Sequence, residues 1–427
     1  MRERKRGSHR RVSTSPWKYV VATWLAGVLA AVGLGAVSPA GSALRSSLGL
    51  SAGALAWATS SITAVSAVLG IPAGWWISRL GAHRALSWGL FVMSMATAVS
   101  ATAGSWGVLL GSRIVEGVGY LLVFVAGPVV LTRVTQGGIR SAALALWGTC
   151  VPTGLALAAA AGGVLASRWT WNRWLALTGL GPLIMAGVLA AVLPRLPRTP
   201  AQHPRRAAGT WSGAVRLGAA YGSLSLVGVA VVMVLPLFLT EYREVTPTVA
   251  GTVVALVCLG SALGGLAASW LLGRGLALSS LVPLGALMPV ACLPAFSADF
   301  PLAVSGGAAM LVLLVDGLLI SAVFAAVPGV VSRAEHLDVA NGILNQVGSV
   351  GILLGPPVFG LAIAAAGWGT VAAATFLFGG LGTVLLLTGT RTSANGPADR
   401  APPLDVGEGS ERSRKTPDVS KPDRNRI

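Results

Sequence analysis

Apolar residues run along this chain in stretches of about twenty, separated by short polar breaks. They do not form the ten-residue alternating segments expected of a membrane barrel. A run of about twenty is long enough to cross a hydrocarbon core of roughly 30 Å as an α-helix. The pattern predicts twelve such helices, over 19–40, 55–77, 86–105, 108–131, 142–165, 174–193, 217–239, 249–272, 279–297, 303–330, 343–366 and 370–389. The longest polar interruption, from Arg195 to Arg216, lies between the sixth and the seventh and is rich in proline and arginine. Such a segment cannot bury itself and reads as a solvated linker. The expected organisation is a tail (1–16), a six-helix bundle (17–194), a central loop (195–216), a second six-helix bundle (217–390) and a disordered tail (391–427).

Composition agrees with that class. Of 427 residues, 54 % are hydrophobic and 11 % charged, where a soluble domain carries about a quarter charged. The net charge of +17 would point to nucleic acid on a soluble protein. Here the bases flank apolar spans, so membrane topology explains them and no nucleic-acid partner is expected. If the N-terminus is cytoplasmic, the tails and the loops after even-numbered spans hold 26 of the 31 Lys and Arg, and the other loops only Arg45, Arg168, Arg173 and Arg243. Positive charge stays inside, so both termini are placed in the cytoplasm and the protein in the cell membrane. The basic start followed by an apolar run resembles a signal peptide, but the run from Tyr19 is long enough to be a retained anchor. Trp17, Trp106, Trp169, Trp171, Trp174, Trp211 and Trp368 fall near predicted span ends, where indoles anchor at the interface.

Other chemistries find no support. Cys150, Cys258 and Cys292 lie in apolar runs with no metal-ligand or disulfide spacing, so neither a metal nor another cofactor is expected. His9, His83, His203 and His336 lie in tails or cytoplasmic loops, too far from any mid-span Ser or Cys to make an enzyme. There is no phosphate-binding Gly-x-x-x-x-Gly-Lys loop.

The two halves share a segment. Ala73-Gly74-Trp75-Trp76-Ile77-Ser78-Arg79 ends the second span, and Ala268-Ser269-Trp270-Leu271-Leu272-Gly273-Arg274 ends the eighth, 195 residues on. Duplicated halves with a site between them near the midplane are a transporter design. Few charges lie deep in spans. Arg113, Glu116 and Tyr120 share one face of the fourth, and Asp316 is alone in the tenth. A charge at mid-membrane costs about 2.5–3.5 kcal/mol on insertion scales and marks pathways and proton relays. Glu116 and Asp316 are therefore the proton-coupling candidates.

These segments resemble the major facilitator superfamily over residues 17–390. Gly74 to Arg84, between spans two and three, is similar to that family's gating loop, with Gly74, Arg79 and Gly81 in place, Arg84 just after it, and Ser78 where the family carries an acid. Arg113 to Tyr120 resembles its fourth-span Arg-x-x-Gln-Gly-x-Gly signature, with Glu116 at the Gln position. Trp147 to Gly154 in span five and Asn341 to Gly348 in span eleven look most like the cyanate-permease-like branch. The resemblance implies an all-α integral membrane fold of two pseudo-symmetric six-helix bundles and a monomeric, proton-coupled secondary transporter working by alternating access. Its substrate would be a small organic or inorganic anion. Arg113 would hold the anion, Tyr120 and Trp147 would wall the cavity, and Asn345 and Gln346 would face it or bond between helices. Proton-coupled drug efflux is the alternative, with the two acids serving lipophilic cations.

Overall fold

The computed structural model describes residues 16–168, 170–193, 211–331 and 336–394, and among these there is no strand. The first half comprises α1 (Trp17–Gly35), the short α2 (Gly41–Leu48), α3 (Ala52–Leu80), α4 (Ala82–Ala101), α5 (Trp106–Val134), α6 (Gly137–Trp147), α7 (Cys150–Arg168) and α8 (Trp171–Val192). The second comprises α9 (Ser212–Leu237), α10 (Pro247–Gly273), α11 (Leu278–Leu281), α12 (Leu287–Ala295), α13 (Leu302–Val330), α14 (Leu337–Ala366) and α15 (Thr370–Ala394). Eleven stretches among the described residues are long and apolar enough to cross a membrane. The twelfth crossing is α4, whose Ser and Thr residues lower its hydropathy. Those hydroxyls are satisfied inside the protein: Thr97 donates to the Met93 carbonyl at 2.8 Å, and Ser100 meets Ser112 of α5 at 2.7 Å.

Several spans differ in detail from the sequence pattern. The fifth is two helices, α6 and α7, broken at Gly148 and Thr149. Pro152 is the cause, since a proline in the first turn of a helix has no N–H to continue the ladder behind it. The ninth is α11, a 3-10 turn over Val282–Ala286 carrying Pro283, and α12. The seventh ends in a π-helical turn over Phe238–Tyr242, which follows Pro236. The predicted gating loop is mostly helix. Residues 74–80 complete α3, Ala82 opens α4, and Gly81 alone makes the corner with φ +89°, a conformation that favours glycine. Arg216, placed in the central loop by the pattern, lies in the first turns of α9. Most of that loop, most of both outer tails and Trp169 lie outside the described residues, and residues 391–394, placed in the C-terminal tail by the pattern, continue α15. Two of the expected interfacial tryptophans are buried instead. Trp171 and Trp174 pack in a cluster with Ala36, Leu44 and Leu109, where Trp174 Nε1 donates to the Ala36 carbonyl at 2.8 Å.

The repeat read from sequence recurs in side-chain geometry. The Arg79 guanidinium stacks over Trp75 at 3.5 Å, and that of Arg274 over Trp270 at 3.7 Å. Within the second half, α10 and α13 touch backbone to backbone, because Gly264 meets Leu314 and Gly317 meets Ser261 with no side chain between them. Gly348 likewise receives the Tyr221 ring, and Gly351 the Gly222 carbonyl, where α14 crosses α9.

Candidate functional site

With the spans alternating in direction, α3 ends and α14 begins on the face where α1 begins and α15 ends, here called the terminal face. On that face the halves are closed against each other. Gly70 of α3 lies on Gly342 and Gln346 of α14, and Gly74 on the backbone of Asp338 and Val339. Pro72 disturbs the α3 hydrogen-bond ladder, and the neighbouring Ile71 N–H donates across the halves to Gln346 Oε1 at 2.9 Å. Arg133, at the end of α5, pairs with Asp338, in the first turn of α14, at 3.4 Å. The second contact mirrors the first: Ser269 of α10 donates to the Ala142 carbonyl of α6 at 2.9 Å, beside Gly273. Ser78, at the family's acidic position, is buried and bonds to its own helix through the Trp75 carbonyl at 2.7 Å. The acid at this contact is therefore Asp338, on the opposite half. Arg84 stays exposed at the start of α4.

Arg113 and Glu116 form a salt bridge at 2.7 Å with both side chains fully buried. The remaining Arg113 nitrogens are also engaged. Nε donates to the Ala58 carbonyl at 3.2 Å, and Nη2 to the carbonyls of Gly33 and Leu34 at 3.1 and 3.4 Å. Gly33 leaves the room, since a side chain there would meet Glu116. The expected anion-holding guanidinium is thus committed to binding α1, α3 and α5 together.

Further along α5 an aromatic ladder begins. Tyr120 stacks on Phe124 at 4.3 Å, and Phe124 meets Trp147 of α6 at 5.4 Å. Trp147 fills a notch made by Gly27 and Gly127, and its Nε1 has no hydrogen-bond partner. The second half supplies a matching pair, Tyr221 of α9 and Phe324 of α13, at 5.2 Å.

Asp316 lies about 21 Å along α13 from its start, at 1.5 Å per residue. It is 2 % exposed, and its Oδ1 has no partner. Its Oδ2 faces Gly228 of α9, where any side chain would collide with it. Nearer the terminal face, Ser321 touches Gly148 at the break between α6 and α7 and Gly265 of α10. Thr149, at the same break, accepts from Trp24 Nε1 of α1 at 2.9 Å. Asn345 is buried with its Nδ2 unpartnered. Its neighbour Gln346 is the interhelical acceptor already described.

A model of the Major Facilitator Superfamily matches residues 23–274, more than half of the chain. The chain belongs to this superfamily. As a member it is a membrane-embedded, multi-pass transporter and not an enzyme. The mouse facilitated glucose transporter member 8 of solute carrier family 2 is 33 % identical over 176 residues, 39 % of this chain and 34 % of that protein. The arabinose-proton symporter of Escherichia coli K12 is 24 % identical over 185 residues, 43 % of this chain and 39 % of its own length. The methylenomycin A resistance protein of Streptomyces coelicolor is 27 % identical over 146 residues, 34 % and 31 %. The chain thus spans about a third of the length of these relatives. In solved structures the same fold is seen in the human organic anion transporter MFSD10, with TM-score 0.73, 17 % identity and coverage of 87 % and 100 % of the two chains. It is seen again in the proton:xylose symporter XylE, with TM-score 0.72, 14 % identity and coverage of 88 % and 96 %.

Of the residues expected in the cavity, Tyr120 and Trp147 join one ladder through Phe124 on the first half, and Asp316 lies against Gly228 on the second. Arg113 and Glu116 stand apart as a closed pair, and Gln346 belongs to the terminal-face contact. Phe324, Tyr221, Ser321, Gly228, Arg133 and Asp338 were not among the candidate site residues read from sequence. A serine or glycine in an apolar run carries no signal until its cross-helix neighbour is known. Asp338 fell in a loop of the predicted pattern, five residues before the span at 343–366, and only the earlier start of α14 at Leu337 puts it in a first helical turn.

Proposed function

We propose that this transporter moves a small polar organic solute by alternating access, coupled to protons through Asp316. The observation that supports this reading is the Asp316 carboxyl itself, buried against Gly228 of α9 with one oxygen unpartnered and, among the described residues, no basic side chain bonded to it. A lone carboxyl held in such a place binds a proton in one access state and releases it in another. The solute is placed between the Tyr120–Phe124–Trp147 ladder and the Tyr221–Phe324 pair. Trp147 Nε1, Asn345 Nδ2 and Asp316 Oδ1 are groups free to bond it. The engaged Arg113 turns the reading from an anion toward an uncharged polar solute, which the glucose and arabinose transporter relatives support.

Efflux of a lipophilic cation is the second reading. A buried carboxyl without a bonded cation, on the half that carries the Tyr221–Phe324 pair, would serve a cation as well, and the methylenomycin A resistance relative favours it. In both readings the protein works in the cell membrane as a monomer, with both termini in the cytoplasm.

The test is flux in sealed proteoliposomes under an imposed pH gradient, with pentoses, hexoses and lipophilic cations as solutes. Wild-type protein is expected to accumulate one class, and Asp316→Asn to keep exchange of that solute while losing gradient-driven accumulation. Full accumulation by Asp316→Asn would remove Asp316 from the coupling step. Thermal stabilisation by the transported class, weakened in Trp147→Phe, would place it at the aromatic wall.

A further inference from the structure

The lipid-facing wall of the second half carries a groove of about 970 Å³ between the interrupted helix α11–α12 and α15. Proline and glycine make it. Pro283 sits in the 3-10 turn that replaces regular helix over Val282–Ala286, and 3-10 geometry winds tighter than α. Gly380 of α15 leaves open space where a side chain would stand. The rims are large and exposed: Val290 and Leu293 on α12, Phe376 and Leu377 on α15. Thr383 supplies the only hydroxyl of the lining, and it already donates to the Gly379 carbonyl at 2.7 Å.

These features decide between occupants. Helices associate in a membrane where small residues let backbones approach, or where polar side chains bond across. Here the four large rim side chains hold a second backbone away, and no lining side chain is free to bond it. A flexible acyl chain enters where a helix of 10–12 Å diameter does not. A charge stands at one mouth. Leu387 closes the lining towards the terminal face, and the adjacent Thr388 carbonyl accepts from Arg216 Nη1 of α9 at 3.3 Å. Arg216 lies one turn inside the start of α9, at the level where headgroups meet the chain.

We propose that this groove is a binding site for one anionic membrane phospholipid, with an acyl chain lying between α12 and α15 and the phosphate on Arg216. The inference concerns the outer wall of the second half and is independent of the transported solute.

Native mass spectrometry of the full chain in detergent, titrated with phosphatidylglycerol or phosphatidylcholine, tests it. One phosphatidylglycerol is expected to be retained, with about fivefold preference over phosphatidylcholine, the worth of one arginine near an anionic headgroup. Arg216→Gln should bring phosphatidylglycerol down to the phosphatidylcholine level. Gly380→Leu fills the groove and should lose both lipids, whereas Gly360→Leu, which also enters open space but on α14, should keep them. Leu293→Trp fills the same groove from the facing helix and serves should Gly380→Leu not fold. Retention of phosphatidylglycerol by both groove-filling variants overturns the proposal. Equal retention of the two lipids by wild-type protein removes the headgroup site on Arg216. A dimer that Gly380→Leu dissolves gives the groove to a second copy instead.

Discussion

At the residue scale, the two deep acids have opposite surroundings. Glu116 has Arg113 at 2.7 Å, and Asp316 has the bare backbone of Gly228 in front of it. Removing one partner of a buried pair strands the other charge, a cost of about 3–5 kcal/mol. Arg113→Gln and Glu116→Gln should therefore each lower the melting temperature in detergent sharply, and the double variant should recover part of the loss. Simple addition of the two losses would show that the pair is not coupled. Arg113→Lys should not rescue, because one ammonium cannot reach Ala58, Gly33 and Glu116 together. Asp316 has no such partner to lose, so Asp316→Asn, nearly the same in shape, is expected to lose less stability than either single variant of the Arg113–Glu116 pair. A stable but uncoupled protein is the signature of a functional rather than a structural acid.

At the scale of elements, the sharpest feature is the contact of α3 with α14. Two glycines, Gly70 and Gly74, bring the helices to backbone contact, and the N–H of Ile71 finds its acceptor on the other half in Gln346. Opening the terminal face separates these groups. Gln346→Leu should remove about 1 kcal/mol from the closed arrangement, about fivefold in the closed-to-open ratio. Gly70→Val should act more strongly, since a side chain there collides with Gly342 and Gln346. Labelling of Val339→Cys by a maleimide applied from the terminal side reads both effects. Unchanged labelling in Gly70→Val would mean that this contact does not gate access. The resemblance placed a gating element at Gly74 to Arg84. The structure puts its closing surface on the helical part of that segment, and leaves the corner at Gly81 to set the angle between α3 and α4.

At the scale of the molecule, the halves meet in two related contacts, α3 with α14 and α6 with α10, and the pair Arg133–Asp338 joins them by charge. Asp338→Asn should shift the same labelling in the same direction as Gln346→Leu. The combined variant should exceed either, because both bias one two-state element. Orientation belongs to this scale too. Fluorescent-protein fusions at the two ends should both mature in the cytoplasm, and one dark fusion would overturn the placement drawn from 26 basic residues on one side.

Class, number of crossings, division into halves and the internal repeat were legible without coordinates, because burial in lipid forces long apolar runs and charge bias marks their ends. The deep polar residues were legible for the same reason: a charge inside an apolar run stands out by its cost. What those residues do to each other was not legible. Arg113 looked like an anion ligand because its three backbone acceptors come from residues 33, 34 and 58, whose carbonyls are invisible in a list of side chains. Trp171 and Trp174 looked interfacial because distance along a span does not say which face turns inward. The break at Gly148, the groove beside Gly380 and the seating of Tyr221 on Gly348 each depend on two helices distant in sequence approaching within van der Waals contact. Lipid solvates every helix of this kind alike, so its hydrophobicity selects a span but no neighbour. Only the packed tertiary structure, through shape and paired polar groups, decides which helices touch and which side chains stay free.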